Sequence, residues 1–230
     1  MHPILAFAIA YVAGSIPSAY IAGKARGVDL RKHGSGNLGA TNVIRVLGTR
    51  IGLVVFALDV AKGGLPVLLL PRWTIAALPP VWIGILCGVG AILGHTRPAF
   101  LLFKRGGKGV ATAAGVFLAL APIQTLLVLI VFAVVLLTSG YVSLGSLISA
   151  TLLPVLIGVT LGPKSPVFAI SILVAVFVYW THRANIGRLR RGEEHRFGKP
   201  GTQPSRRMAA ALAIGLVVVL AVLVAARFAT

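Results

Sequence analysis

The segment RKHGSGNLGATNVIRVLGTR, residues 31–50, places Gly34, Gly36, Gly39 and Gly48 among Ser35, Asn37, Thr41 and Asn42, with Arg31, Lys32, Arg45 and Arg50 around them. These residue types suit an anion. Glycine-rich backbone can turn successive N–H groups toward a phosphate, and the short helix expected over ATNVIRVLG adds its N-terminus. Ser35, Thr41 and Asn42 add side-chain hydrogen bonds, and Arg45 adds a planar, bidentate cation. The spacing GSGNLG also matches the dinucleotide fingerprint, with Asp59 suitably far beyond Gly39. That device requires a preceding strand and a βαβ unit, whereas apolar runs flank this segment. An ordinary turn between two spans is the alternative reading.

Two further segments carry the same chemistry. GHTRPAFLLFKRGGKG, residues 94–109, sets Gly106, Gly107 and Gly109 around Lys108, just after Lys104 and Arg105. It is not a Walker A loop, because Gly109 stands where a Ser or Thr is needed and Leu102 where the first glycine belongs. Charge anchoring alone would account for the cations but not for the glycines. WTHRANIGRLRRGEEHRFG, residues 180–198, carries His182 and Asn185 at i, i+3, on one face of a continuous helix. Its arginines read as membrane anchors attracted to anionic lipid. Ser143 follows the turn SGY at 139–141. His95 and Arg97 stand near the end of a span, where a structural role is as reasonable as a functional one.

Acids are scarce: Asp29, Asp59, Glu193 and Glu194 are the whole complement. Asp59 and Lys62, three apart inside an apolar run, read as a structural ion pair on one helix face. No acidic cluster resembles a magnesium site, and no Cys/His spacing suits zinc, so no metal or cofactor is expected. The His-x-x-x-x-Asp device of acyl-CoA-dependent glycerolipid acyltransferases is absent from the sequence. Cys87, without a cationic neighbour, is a poor nucleophile and reads as a small core residue. Cations and amides without carboxylates suit anionic substrates handled without a carboxylate base.

What must position these groups is a membrane protein. The chain is 57% apolar and 11% charged, with mean hydropathy +0.96, against about a quarter charged in soluble domains. The net charge of +18 lies between hydrophobic runs, which points away from nucleic acid. Span-length runs fall at 3–23, 51–71, 80–103, 142–161, 166–181 and 208–226. The run at 109–139 is long for one helix and is interrupted by Pro122, so it is read as two short helices that cross twice or enter and return. All three basic segments then share the cytoplasmic face, leaving Arg72, Lys164 and Arg227 outside. The N-terminus lacks a positive n-region, so it is read as a retained first span rather than a signal peptide. The expected fold is an all-α integral membrane protein: a seven-helix transmembrane core, some helices short or broken, plus one extra C-terminal transmembrane helix. Residues 1–198 form the membrane domain, and 199–230 a basic linker and the added helix. A non-enzymatic anion transporter or lipid-binding protein also fits polar loops gathered on one face.

In order along the chain, GSIPSAYI, GSGNLGATNVIRVLG, LDVAKGGLPV, GHTRPAFLLFKRGGKGVATAAG, GYVSLGS and THRANIGRL resemble the bacterial acyl-phosphate:glycerol-3-phosphate acyltransferase (PlsY) family. The resemblance implies transfer of a fatty acyl group from acyl phosphate to the 1-hydroxyl of glycerol 3-phosphate. The products would be lysophosphatidic acid and inorganic phosphate, in the first step of phosphatidic acid synthesis at the bacterial inner membrane. By the family pattern, Ser35, Asn37, Gly39, Thr41 and Asn42 would hold the acyl-phosphate head, covered by Lys104, Gly106, Gly107, Lys108 and Gly109. Arg45, Ser143, His182 and Asn185 would hold glycerol 3-phosphate. Ser35, Arg45, Lys104 and His182 are the catalytic candidates, and either His182 or a substrate phosphate would take the hydroxyl proton. The departure is the apolar run at 208–230, beyond the usual family core.

Overall fold

A computed structural model describes residues 1–75 and 77–197. Every regular element among them is helical. The chain divides into two compact units, Met1–Pro122 and the part from Ile123 onward.

The first unit contains α1 (Pro3–Ser15), α2 (Ser18–Lys24), α3 (Ala40–Leu47), α4 (Thr49–Leu69), α5 (Pro80–Thr96) and α6 (Val110–Leu120), with 3-10 turns at Leu70–Trp73 and Ala99–Leu101. The second contains α7 (Pro122–Ser139, starting at the boundary), α8 (Val142–Leu161), α9 (Pro166–Thr181) and α10 (Arg183–Arg190). Proline opens α1, α5, α7 and α9, where its fixed φ suits a first turn and its missing N–H is not needed.

Lipid cannot drive apolar helices together by hydrophobicity, so close approach depends on small side chains. In the first unit α1 lies on α5 with Gly14 against the Ala91 backbone and Gly94 against Tyr11 O; a Cβ on either glycine would collide. Likewise α4 meets α6 where Gly63 faces Thr112 O and Gly115 faces Val60 O. In the second unit Gly145 and Gly158 receive the rings of Phe132 and Phe168. Gln124 donates to Thr160 Oγ1 at 2.7 Å, and Ser149 donates to Val128 O at 3.0 Å, tying α7 to α8. Large apolar side chains such as Ile4 and Leu173 face outward, 71% and 65% exposed, as a lipid-facing surface requires.

By length and composition, the described residues hold five helices able to cross a membrane, or six if α9 and α10 count as one bent span. The short apolar α6 comes in addition. The run at 109–139 breaks into α6 and α7 at Ala121–Pro122, as the proline predicts. The first span expected at 3–23 is present as Pro3–Lys24 but is built of two helices. It breaks between α1 and α2, where Pro17 has no N–H to donate and Ile16 O accepts from Ser18 N–H at 3.0 Å and from Lys62 Nζ at 2.8 Å. The span expected at 80–103 is present as Pro80–Leu101, α-helical to Thr96 and ending in the 3-10 turn at Ala99–Leu101. The extra C-terminal helix expected at 208–226, and residues 199–230 generally, lie outside the described residues.

Candidate active site

In the first unit, Leu30 and Leu38 are apolar pegs, 1% and 5% exposed, that pin both ends of the polar loop into a cluster with Ala19, Val43 and Val55. Between the pegs, Asn42 organises the backbone from the first turn of α3. Its Oδ1 accepts from Ser35 N–H at 2.9 Å, and its Nδ2 donates to Leu30 O and His33 O at 3.2 and 3.1 Å. The Asn42 amide therefore shapes the loop from inside. Ser35 and Arg45 are exposed, and Asn37, Gly39 and Thr41 are half-buried. Gly39 is the N-cap of α3 and supplies no side-chain cap. At the loop's entrance Arg31 pairs with Asp29 at 2.9 Å, and its hydrogen bonds hold that carboxyl below the ordinary carboxylate range.

The second glycine-rich loop leaves α5 at Thr96. Leu102 and Phe103 take left-handed φ values of 52° and 57°, and Lys104 and Arg105 follow, both exposed. Gly106 N–H then donates to Thr96 O at 3.0 Å, and Gly107 N–H to His95 O at 3.3 Å, so the loop folds back on the end of α5. Gly109, at φ 83°, is the N-cap of α6, again without a side-chain cap. The two loops touch. A Cβ on Gly107 would collide with His95 Nε2 and come within 2.9 Å of Leu38 O in the first loop. Gly106, Gly107 and Gly109 are buried, and Lys108 is half-buried.

In the second unit the predicted i, i+3 face of a continuous helix is interrupted. The helix bends by 59° at His182, between α9 and α10. His182 Nδ1 lies 2.8 Å from Val178 O, and its backbone N–H also reaches that carbonyl, at 3.0 Å, as well as Tyr179 O. A carbonyl only accepts, so Nδ1 carries the ring proton of the neutral form. Side-chain competition for a helical carbonyl is a recognised cause of bending. Both His182 and Asn185 are nevertheless buried, 3% and 6% exposed. Glu194, unremarked beyond the count of acids, is the centre of this part. Its Oε1 accepts from Ser143 Oγ at 2.9 Å and Asn185 Nδ2 at 2.6 Å, while its Oε2 takes Arg188 Nε at 2.7 Å. Burial pushes its pKa up, but the hydrogen bonds from Asn185, Ser143 and Arg188 outweigh burial and leave it lowered. The available signal was an isolated acid pair in a run of arginines.

Thus Ser35 joins Asn42, the Gly107 loop joins Leu38, and Ser143 joins Asn185 through Glu194. No group of three His, Cys, Asp or Glu able to hold a metal occurs among the described residues. Paired uncapped helix N-termini entered through glycine-rich loops, with cations at their rims, can bind phosphate groups and stabilise developing negative charge.

A multi-pass helical membrane protein with such loops is the class that fold and site define. The sequence pattern of the family described as glycerol-3-phosphate acyltransferase matches residues 4–192. The glycerol-3-phosphate acyltransferase of Geotalea daltonii is 44% identical over 188 residues, 82% of this chain and 94% of the relative. That of Geobacter sulfurreducens is 41% identical over 198 residues, 86% and 98% of the two chains. A crystal structure of PlsY (YgiH), an integral membrane glycerol 3-phosphate acyltransferase, in its glycerol 3-phosphate form has a TM-score of 0.78 at 39% identity, covering 85% of this chain and 96% of that one. The lysophosphatidic acid form gives 0.74 at 37%, covering 85% and 95%. This chain belongs to the glycerol-3-phosphate acyltransferase family and is a membrane-embedded acyltransferase of the PlsY type.

Proposed function

We propose that the enzyme acylates the 1-hydroxyl of glycerol 3-phosphate with acyl phosphate as donor, releasing lysophosphatidic acid and inorganic phosphate. The observation that carries this reading is the contact of the two glycine-rich loops at Leu38 and Gly107, which puts two helix N-termini and the cations Arg45, Lys104 and Lys108 within one unit. Two phosphorylated substrates bring together roughly three to four negative charges, which a low-dielectric site would repel without fixed cations and oriented N–H groups. An apolar groove of about 400 Å³ runs along α1, α2 and α4, lined by Ile9, Ile16, Leu58, Leu65 and Trp73. Ser18 and Lys62 line both this groove and the small polar cavity at Gly106 and Gly107. An amphiphile with its head at the loops could lay its tail there.

In this reading Ser35, Asn37, Gly39, Thr41 and Asn42 build the donor's phosphate seat, and Lys104 and the loop at 106–109 cover it. Arg45, Ser143, His182 and Asn185 hold the acceptor. The acceptor hydroxyl oxygen attacks the acyl carbon, the acyl–phosphate C–O bond breaks, and phosphate leaves with the electron pair. A substrate phosphate takes the hydroxyl proton, with His182 Nε2 as the alternative base. No acyl-enzyme is needed. The polar face is assigned to the cytoplasmic side of a bacterial inner membrane, and catalysis to residues 1–198.

The test is direct. Purified protein in lipid is given glycerol 3-phosphate with palmitoyl phosphate or, separately, palmitoyl-CoA, and both products are followed. Equal yields of lysophosphatidic acid and phosphate from palmitoyl phosphate alone are expected; turnover with the CoA ester alone overturns the donor assignment.

A further inference from the structure

The site leaves one buried polar cluster unused. Asp59 and Lys62 on α4 pair at 2.8 Å, and His95 Nδ1 on α5 lies 3.7 Å from the same Asp59 Oδ1; the three side chains are 2%, 7% and 6% exposed. Lys62 is held further by the Ile16 carbonyl at the α1–α2 break. These groups line a cavity of about 10 Å³ with Leu38, Gly106 and Gly107. That is the size of one water probe, so no substrate fits. The His95 ring instead reaches the junction of the loops. A Cβ on Gly107 would strike Nε2, while His95 O accepts the Gly107 N–H and Leu38 O faces the same point.

We propose that Asp59 and His95 are positioning residues for acyl transfer: the α4 carboxylate faces the His95 ring, which packs on Gly107 and, with the His95 carbonyl that accepts the Gly107 N–H, holds that residue against Leu38 so that the two loops form one phosphate cradle. The inference rests on the reading of those loops as the donor's seat. An ion pair that served only helix packing would require no third member reaching the loop. An error of an ångström in a reactant's seat can cost about a hundredfold in rate, so positioning at this distance is chemically consequential.

The test uses the full chain in lipid with His95→Gln, Asp59→Asn, Gly107→Ala and the double variant His95→Gln/Gly107→Ala. KM for each substrate, kcat and thermal stability are measured for all. Each single change is expected to raise the acyl-phosphate KM about tenfold or more while the glycerol 3-phosphate KM moves little. The double variant should be no worse than its poorer single parent, because both changes disturb one contact. Lower stability with an unchanged acyl-phosphate KM, or losses that multiply in the double variant, overturns the proposal. Should Asp59→Asn strand the Lys62 charge and fail to fold, Asp59→Asn/Lys62→Met removes both charges; it should fold with the KM defect intact, and a normal KM there overturns the proposal. If the wild-type enzyme uses a different acyl donor, the donor reading falls and the same comparison is made with that donor.

Discussion

Arg45, on the last turn of α3, and Lys104, in the second glycine-rich loop, are exposed, where their charge can meet phosphate. Arg45→Ala and Lys104→Ala should each lower kcat/KM by about a hundredfold or more with thermal stability nearly unchanged, as steady-state kinetics beside unfolding scans would show. His182 and Asn185 are buried around a bend, and His182 is bound to its own helix through Nδ1. His182→Ala is expected to raise the KM for glycerol 3-phosphate more than it lowers kcat; a selective collapse of kcat would identify the ring as the base. Glu194 brings a pH dependence. Its folded pKa lies below the ordinary value of 4.5, so its contribution to stability is complete above that value and is lost as pH falls through the folded pKa. The stability difference between wild type and Glu194→Gln, followed by thermal unfolding, should therefore shrink on the acid side of 4.5. The Asp59–Lys62 pair was legible because i, i+3 neighbours meet on any helix. His95 and Glu194 find their partners in space, which spacing along the chain does not disclose.

Helix packing depends on positions where backbone touches backbone. On α4, Gly63 faces the Thr112 carbonyl of α6 without room for a Cβ. Gly63→Leu should destabilise the protein by about 1–3 kcal/mol or more, since neither helix can yield as a side chain can. Because α6 opens at Gly109, the same variant should lose turnover in assays below its own unfolding transition. The break at 121–122 was readable from Pro122, and the short α3 was expected over ATNVIRVLG. The bend at His182 was not, because no proline or glycine marks it and a histidine side chain shares the Val178 carbonyl with its own backbone N–H. The division at Ile16–Pro17 passed as part of one span, because the hydropathy of 3–24 is continuous and the Ile16 carbonyl is satisfied by Ser18 N–H and by a lysine on another helix.

For the whole molecule, charge asymmetry predicts which loops share a side. Cys87 is the only cysteine and is fully buried, so single cysteines introduced elsewhere can report on topology. In sealed, oriented vesicles Lys32→Cys, Arg105→Cys and Arg191→Cys should label with an impermeant thiol reagent from one side, and Lys164→Cys from the other. Labelling of Lys164→Cys together with Lys32→Cys and Arg105→Cys, with Arg191→Cys labelling from the other side, would instead show that α6 and α7 cross as one span. Composition, hydropathy and the positions of cations were enough to determine a helical membrane protein, its approximate spans and the loops that carry its polar chemistry. Those properties follow from transfer of each segment between water and lipid, which is additive along the chain. Only the tertiary structure decided that Asn42 is spent inside its loop, that His95 links a buried ion pair to Gly107, and that Glu194 gathers Ser143, Asn185 and Arg188. Hydrogen bonds and ion pairs require ångström-scale approach between residues far apart in sequence, and that approach is set by how the helices pack.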